Sequence, residues 1–194
     1  MLFPFYGLTE TDSTYIQKSK KIKSQRKSIR LKEFDYTTPW WYYITICMFN
    51  HKILFGEIKK GKLVLNDFGK IVKDEWLKTK TIRNNIDLDY YVIMPNHFHG
   101  ILINESRDKA RLVPTEVRRF GKPVPNSLSS IIGSFKSAVT KRINESRKSP
   151  GAKVWQSRFY DHIIRNDNDL HRIRTYIQNN PLKWELDEYY KENL

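Results

Sequence analysis

The stretch "YYVIMPNHFHGILIN", residues 90 to 104, constrains the fold more than any other part of the chain. Apolar, β-branched and aromatic residues on both sides of Pro95-Asn96 predict two strands separated by a break. Because strand side chains alternate between two faces, His97 and His99 point to one face and Phe98 to the other. Two imidazoles at this spacing can share one divalent ion, or can simply be hydrogen-bonded at a sheet surface.

The remaining patterns predict an α+β fold in which helices pack against an antiparallel sheet. Further strands are predicted from Trp40 to Phe49, at "GKLVLND" after a turn at Gly61, and at "VWQSRFYDHIIR". Helices are predicted at "DFGKIVKDEWLKT" with Asp67 as the cap, at "SLSSIIGSFKSAVTKRIN" with Ser127 as the cap, and at "DNDLHRIRTYIQNN". The order strand, strand, helix, strand, strand, helix, strand, helix is typical of a two-layer sandwich.

The composition divides the chain into three regions. Residues 1–35 include the acid-free run "KSKKIKSQRKSIRLK", which we expect to be a mobile or partner-ordered basic arm. One folded domain is predicted over residues 36–186, with an exposed insertion at about 105–126 where prolines and charges cluster. Residues 187–194 are predicted to be a C-terminal tail.

The charge balance favours a polyanion as the partner. The chain has 35 Lys and Arg against 21 Asp and Glu, a formal net charge of +14. The longest apolar run, "WWYYITICMF", is about half of the ~20 residues that span a bilayer, so no membrane association is expected. The single cysteine, Cys47, fits a reducing compartment. We therefore expect a cytoplasmic, nucleoid-associated protein that binds nucleic acid.

Several basic residues are candidates for DNA contact. In the arm they are Arg26, Lys27 and Arg30. Farther along, Arg158 and Arg165 are interleaved with Trp155, Phe159 and Tyr160, and Arg172 lies in the last helix. Such a mixture can track a phosphate backbone and stack bases, although core packing is the stronger interpretation for Trp155 and Phe159.

The candidate metal site favours a hard cation. Structural zinc is disfavoured, because it takes four nitrogen or sulfur ligands and no second Cys or His pair has suitable spacing. Two histidines with an oxygen donor suit Mg²⁺ or Mn²⁺, of which Mn²⁺ tolerates imidazole better. Tyr176 and Asn180 are four residues apart and lie on one face of the last predicted helix, beside Arg172. A tyrosine in such a place is more often a packing residue.

Three ordered motifs, "MPNHFHGILI", "VWQSRFYDHIIR" and "RTYIQNNPLKW", resemble those of the single-tyrosine HUH transposases, in the branch associated with repeated extragenic palindromes (REP). The resemblance covers roughly residues 26 to 184. It implies a ferredoxin-like antiparallel sheet with helices packed on one face. It also implies that His97, His99 and Asn180 bind the metal ion and that Tyr176 is the nucleophile.

Two points of this assignment keep alternatives. Pro181 disfavours the α conformation at Asn180, which leaves Gln178 and Asn179 as alternative ligands. Tyr160 has basic neighbours and is the alternative nucleophile, but it is predicted to lie in a rigid strand.

The implied activity is metal-dependent cleavage and transfer of single-stranded or hairpin DNA through a 5′-phosphotyrosine, by a monomer or homodimer. No nucleotide cofactor is expected, since the ester conserves the bond energy and the chain has no "GxxxxGK" loop. The alternative is a domesticated DNA-binding protein that uses the same surface without catalysis. A zinc-binding nucleic-acid module is a weaker third hypothesis.

Overall fold

The computed structural model describes residues 34–105, 124–187 and 189–190, and its main element is a four-stranded antiparallel sheet. The strands are β1 (Trp40–Cys47), β2 (Gly56–Lys59), β3 (Lys62–Leu65), β4 (Ile86–Ile93), β5 (His97–Asn104) and β6 (Tyr160–Ile163). The helices are α1 (Asp67–Thr81), α2 (Leu128–Ser146) and α3 (Asp167–Asn179), with short 3-10 helices at Phe49–His51 and Pro181–Leu186. None of the helices within these ranges is long and apolar enough to cross a membrane.

The main sheet has the order β4-β5-β1-β6, and all three pairings are antiparallel. Strands and helices in this unit follow one another as β1, α1, β4, β5, α2 and β6, which is the ferredoxin-like βαββαβ arrangement. The predicted α+β fold class is therefore confirmed. The predicted strand at "GKLVLND" is β3, but it pairs with β2, a strand that the sequence analysis missed, in a separate hairpin.

One face of the sheet packs against α1 and α2. The face is apolar because alternate residues of β1 and β5, such as Ile44, Ile46 and Phe98, point to it. Trp76 of α1 and Phe135 of α2 pack edge-on against one another, with ring centroids 5.4 Å apart. This large core fixes β5 at the centre of the sheet.

The opposite face carries His97 and His99, and we call it the histidine face. It packs against α3, whose buried Ile173 and Ile177 join a smaller apolar cluster with Tyr43 of β1. The prediction of helices on one face thus holds for α1 and α2 but not for α3. The reason is that the apolar stripe of α3 packs on the apolar side chains of the histidine face, beside the two imidazoles.

One local prediction was wrong, and another is confirmed only in part. The N-cap of α1 is Asn66, whose side chain accepts a hydrogen bond from the Gly69 amide, and Asp67 is already helical. Within the strand predicted at "VWQSRFYDHIIR", Tyr160–Ile163 form β6 and Trp155 forms an isolated antiparallel bridge with Met48. Between these two pairings, Lys136 of α2 donates to the carbonyl oxygens at positions 156 and 157.

The predicted arm and insertion lie mostly outside the described residues, which begin at Phe34 and leave a gap at 106–123. At the end of the arm, Phe34 packs edge-on against Tyr36, with ring centroids 5.2 Å apart. Beyond the insertion, residues 124–126 are exposed up to the buried Ser127, which caps α2 as predicted.

Candidate metal centre and nucleophile pocket

The paired imidazoles are fully buried in the middle of the sheet. His97 is 0% and His99 1% exposed, and their ring centroids lie 4.5 Å apart. The period of two along β5 places both on the histidine face, as predicted. Burial of a polar ring nitrogen without a hydrogen-bond partner costs free energy. The contacts of each ring nitrogen therefore indicate which of them is available to a ligand.

The hydrogen bond of His97 fixes its tautomer. Its Nδ1 lies 2.8 Å from Oδ1 of Asn96. The Asn96 amide nitrogen donates to the carbonyl oxygens of Tyr189, at 2.7 Å, and His51, at 3.4 Å, so Oδ1 is the atom facing His97. Because that oxygen can only accept, the proton of His97 is on Nδ1. Its Nε2 is therefore a bare lone pair, buried and without a hydrogen-bond partner among the described residues.

His99 is oriented by two hydroxyl groups. Its Nδ1 lies 2.8 Å from the Tyr43 hydroxyl and 2.8 Å from the Thr45 hydroxyl, both on the neighbouring strand β1. These contacts hold the ring so that Nε2 faces α3. Outer hydrogen bonds of this kind set the tautomer of metal-binding histidines.

The electrostatic environment keeps both rings neutral. Burial, with a smaller contribution from the nearby His51 ring, lowers the pKa of His97 to about 3. Burial, together with His97, holds the pKa of His99 well below its usual value. At neutral pH both histidines are thus unprotonated, which is the form that binds a metal ion.

Asn180 and Asp187 supply oxygen atoms at the same place. One ring nitrogen of each of His97 and His99 and one carboxylate oxygen of Asp187 lie within 4.8 Å of one another. The Asn180 amide nitrogen donates to Oδ2 of Asp187 at 3.0 Å. The amide oxygen of Asn180 is buried and has no hydrogen-bond partner in the described part of the chain.

The backbone at Asn180 corrects the expectation raised by Pro181. Asn180 has φ −57° and ψ −44°, so it stays in the α conformation and its side chain keeps the helical direction. It is 3% exposed. Of the alternative ligands, Gln178 is exposed and Asn179 is half-buried at the pocket wall.

The residues present fit a divalent cation. Two imidazole nitrogens, a carboxylate oxygen and an amide oxygen form the mixed donor set that Mn²⁺ accepts, and the orphaned Nε2 of His97 and Oδ1 of Asn180 need such a partner. Asp187 was missed because it falls in the segment predicted as a tail. The available signal was a carboxylate one residue beyond "PLKWEL", close after Asn180.

Residues after Asp187 close the site on one side. The Tyr189 ring lies against His97, with centroids 4.8 Å apart, and Tyr190 packs edge-on against Trp184 at 5.3 Å. Asp187 also accepts a hydrogen bond from the Tyr189 amide at 2.8 Å. The described part of the predicted tail is thus packed against the candidate metal centre.

Tyr176 lies next to the same centre on α3. Its hydroxyl is 3.5 Å from Nε2 of His99, and its ring meets Tyr43 edge-on, with centroids 6.4 Å apart. It is 43% exposed and opens to a pocket of about 510 Å³ whose walls also include Arg172, Lys183 and Asp187. A phenol in this position can reach both the metal centre and a solvent-exposed ligand.

Tyr160 lies on the same face but farther from the histidines. It is at the sheet edge in β6, is 47% exposed, and its ring centroid is 6.4 Å from that of Tyr43. No hydrogen bond between Tyr160 and a histidine is found in the described residues.

Three of the six predicted DNA-binding residues lie in the described part of the chain. Arg158 and Arg165 are exposed, whereas Arg172 reaches the pocket and donates to Asp169 at 2.6 Å. Trp155 is buried against Phe55, which supports its interpretation as a core residue. The arm candidates Arg26, Lys27 and Arg30 lie outside the described residues.

Comparison with known proteins identifies a relative of the chain and a similar fold. No family model matches the sequence. An uncharacterised Haemophilus influenzae protein is 39% identical over 170 residues, which cover 85% of this chain and 93% of that protein. The solved structure of a REP-associated tyrosine transposase bound to a REP hairpin superposes with a TM-score of 0.56 at 19% identity, covering 82% of this chain and 77% of that one. A solved structure from Deinococcus radiodurans gives a TM-score of 0.44 at 16% identity, covering 77% of this chain and 97% of that one. The chain therefore belongs to one family with the Haemophilus influenzae protein, and this family has the REP-associated tyrosine transposase-like fold.

Proposed function

We propose that this protein is a metal-dependent DNA strand transferase that cleaves single-stranded or hairpin DNA through a 5′-phosphotyrosine at Tyr176. The observation that supports this most is the placement of the Tyr176 hydroxyl 3.5 Å from His99, beside a donor set with two orphaned buried atoms. A binding module has no physical need for a phenol and a hard-cation site in one pocket. The structural likeness to a transposase bound to a REP hairpin agrees with a hairpin substrate.

His97, His99, Asn180 and Asp187 hold the metal ion in this proposal. When bound, Mn²⁺ or Mg²⁺ neutralises and orients the oxygens of the scissile phosphate. The residues around these donors keep them ready for that role. Asn96 fixes the proton of His97 on Nδ1, so its Nε2 lone pair is always presented to the site.

Tyr176 supplies the attacking oxygen. The Tyr176 hydroxyl oxygen forms a bond to phosphorus, the bond from phosphorus to the 3′ oxygen breaks, the phenol proton is lost, and the leaving 3′ oxygen gains a proton. The product ester keeps the bond energy, so a second 3′ hydroxyl can reverse the step on another strand without a nucleotide cofactor. Arg172 and Lys183 at the pocket wall are placed to attract the phosphate.

The test is formation of a covalent adduct. The protein is incubated with a pool of single-stranded oligonucleotides and Mn²⁺ and analysed on a denaturing gel. We expect an adduct with the unsubstituted protein and none with Tyr176→Phe, whereas Tyr160→Phe keeps it. Binding of the pool with no adduct under any metal condition would instead support the non-catalytic DNA-binding alternative.

A further inference from the structure

The turn of the β2–β3 hairpin has a lysine at its first position. Lys60 and Gly61 connect the strands with φ of 51° and 71°, which is the pattern of a type I′ turn. Such turns favour Asn, Asp or Gly at the first position, since a left-handed conformation is costly for other residues. Lysine is thus not the residue that would stabilise this turn best.

This turn is fixed beside the candidate metal centre. A Cβ atom at Gly61 would lie 2.8 Å from the Leu182 side chain, so the turn already touches the 3-10 helix Pro181–Leu186. Ile58 and Leu63 of the hairpin pack against the apolar cluster that contains Trp184 of the same 3-10 helix. The position of the turn relative to the pocket is therefore set by packing on both sides.

The residues at this junction are cationic. Lys60, Lys62 and Lys183 are exposed, and none of the three has a carboxylate within 4.0 Å in the described ranges. Lys183 is also part of the wall of the pocket that contains Tyr176. Lys59 differs, because it pairs with Glu57 at 2.7 Å. A short run of unneutralised lysines thus leads from the pocket to the hairpin turn.

We propose that Lys60, Lys62 and Lys183 bind successive phosphates of the DNA strand that leaves the Tyr176 pocket, so that the β2–β3 hairpin guides this strand. The proposal rests on the proposed function, since DNA is the polyanion at the pocket. Lysine is suited to this role because it neutralises a phosphate without reading the base.

Lys60→Asn separates folding from binding. Asparagine suits the type I′ turn, so the melting temperature should be equal or higher, while one phosphate contact is lost. The assay is fluorescence anisotropy with labelled oligothymidine of about 30 nucleotides, longer than a site of ~4–16 nucleotides, without metal and over a range of salt concentrations. Each lost contact lowers the slope of log affinity against log salt by roughly 0.7, which is about fivefold in affinity near 0.1 M salt.

Lys148→Asn is the matched control. Lys148 is also an exposed lysine with positive φ, 52°, but it follows α2, which packs on the opposite face of the sheet. We expect no change of slope for this variant and a loss of roughly 1.4 for Lys60→Asn combined with Lys62→Asn.

Two outcomes would overturn the guide proposal. One is a salt-dependence slope in Lys60→Asn that equals that of the unsubstituted protein. The other is an equal decrease of this slope in Lys148→Asn, which would show that the net positive charge of the protein, and not a DNA path along the hairpin, determines the slope. If either occurs while the unsubstituted protein still forms the Tyr176 adduct, the proposed function stands and the hairpin role fails. Absence of both DNA binding and adduct in the unsubstituted protein would refute both proposals.

Discussion

Asp187 is the candidate metal ligand that the sequence analysis missed, and its replacement is a direct test of the metal centre. Asp187→Ala removes a carboxylate oxygen that lies within 4.8 Å of both histidine nitrogens. It also removes the acceptor that holds the Asn180 amide at 3.0 Å. Loss of one such oriented partner typically costs 10- to 100-fold in metal affinity, or about 1.4–2.7 kcal/mol. We expect a Mn²⁺ dissociation constant that is higher by this factor.

The assay is titration of the metal-free protein with Mn²⁺ at pH 7, with free Mn²⁺ followed by electron paramagnetic resonance. Glu185→Ala is the matched control, because Glu185 has the same charge and lies in the same 3-10 helix but is exposed. Asp187→Asn keeps an acceptor for Asn180 without the charge and should fall between Asp187→Ala and the unsubstituted protein. If Asp187→Ala, correctly folded by circular dichroism, binds Mn²⁺ within twofold of Glu185→Ala, Asp187 has no part in the site.

Four further predictions concern the histidines, Tyr43, the stability of the metal-free protein and the basic arm. His97→Ala and His99→Ala should each abolish cleavage yet keep DNA affinity, which rests on phosphate neutralisation; cleavage by either variant in chelator-treated buffer would refute metal dependence. Tyr43→Phe should weaken Mn²⁺ binding severalfold, because one of the two hydroxyl groups that orient His99 is lost. The melting temperature should fall by no more than a few degrees, because Thr45 still contacts Nδ1 of His99. Unchanged Mn²⁺ affinity would count against the orienting role of Tyr43. The metal-free protein should lose stability as pH falls below 6.5, because His97 becomes protonated in the unfolded chain but has a pKa of about 3 in the folded protein. His97 should contribute at most ~1.4 kcal/mol per pH unit to the pH dependence of the free energy of unfolding. Urea unfolding should show a weaker pH dependence in His97→Gln. Deletion of residues 1–33 should lower the slope of log affinity against log salt for single-stranded DNA by roughly 0.7 per lost phosphate contact. An unchanged slope would show that the arm does not contact DNA.

The periodicities of the sequence predicted the sheet strands and helices because each buries a continuous stripe. The period of two along β5 and the spacing of Tyr176 and Asn180 on α3 each place their side chains on one face without reference to the rest of the chain. The prediction failed where a contact joins distant segments. Strand pairing is interrupted between Trp155 and Tyr160, where Lys136 of α2 donates to the carbonyl oxygens at 156 and 157, a contact that the local sequence does not show.

The position of Asp187 at the metal centre and the packing of α3 on the histidine face also depend on contacts between distant parts of the chain. Nothing local to "WELDEYY" shows that its aspartate, Asp187, meets the histidines of β5, since the chain must first fold α3 back over the histidine face. Similarly, the α conformation of Asn180 before Pro181 follows from the packing around it, which outweighs the local preference. The resemblance named the histidines, Tyr176 and Asn180, but the geometry alone added the carboxylate.

The central claim is that Tyr176 becomes covalently attached to DNA at a metal centre held by β5 and α3. The most direct measurement is peptide mass spectrometry of the protein after incubation with single-stranded hairpin DNA and Mn²⁺, followed by nuclease and protease digestion. We predict a nucleotide attached through phosphate to the peptide containing Tyr176, absent when a chelator is added. A nucleotide on Tyr160, or an adduct that persists in Tyr176→Phe, would contradict the account.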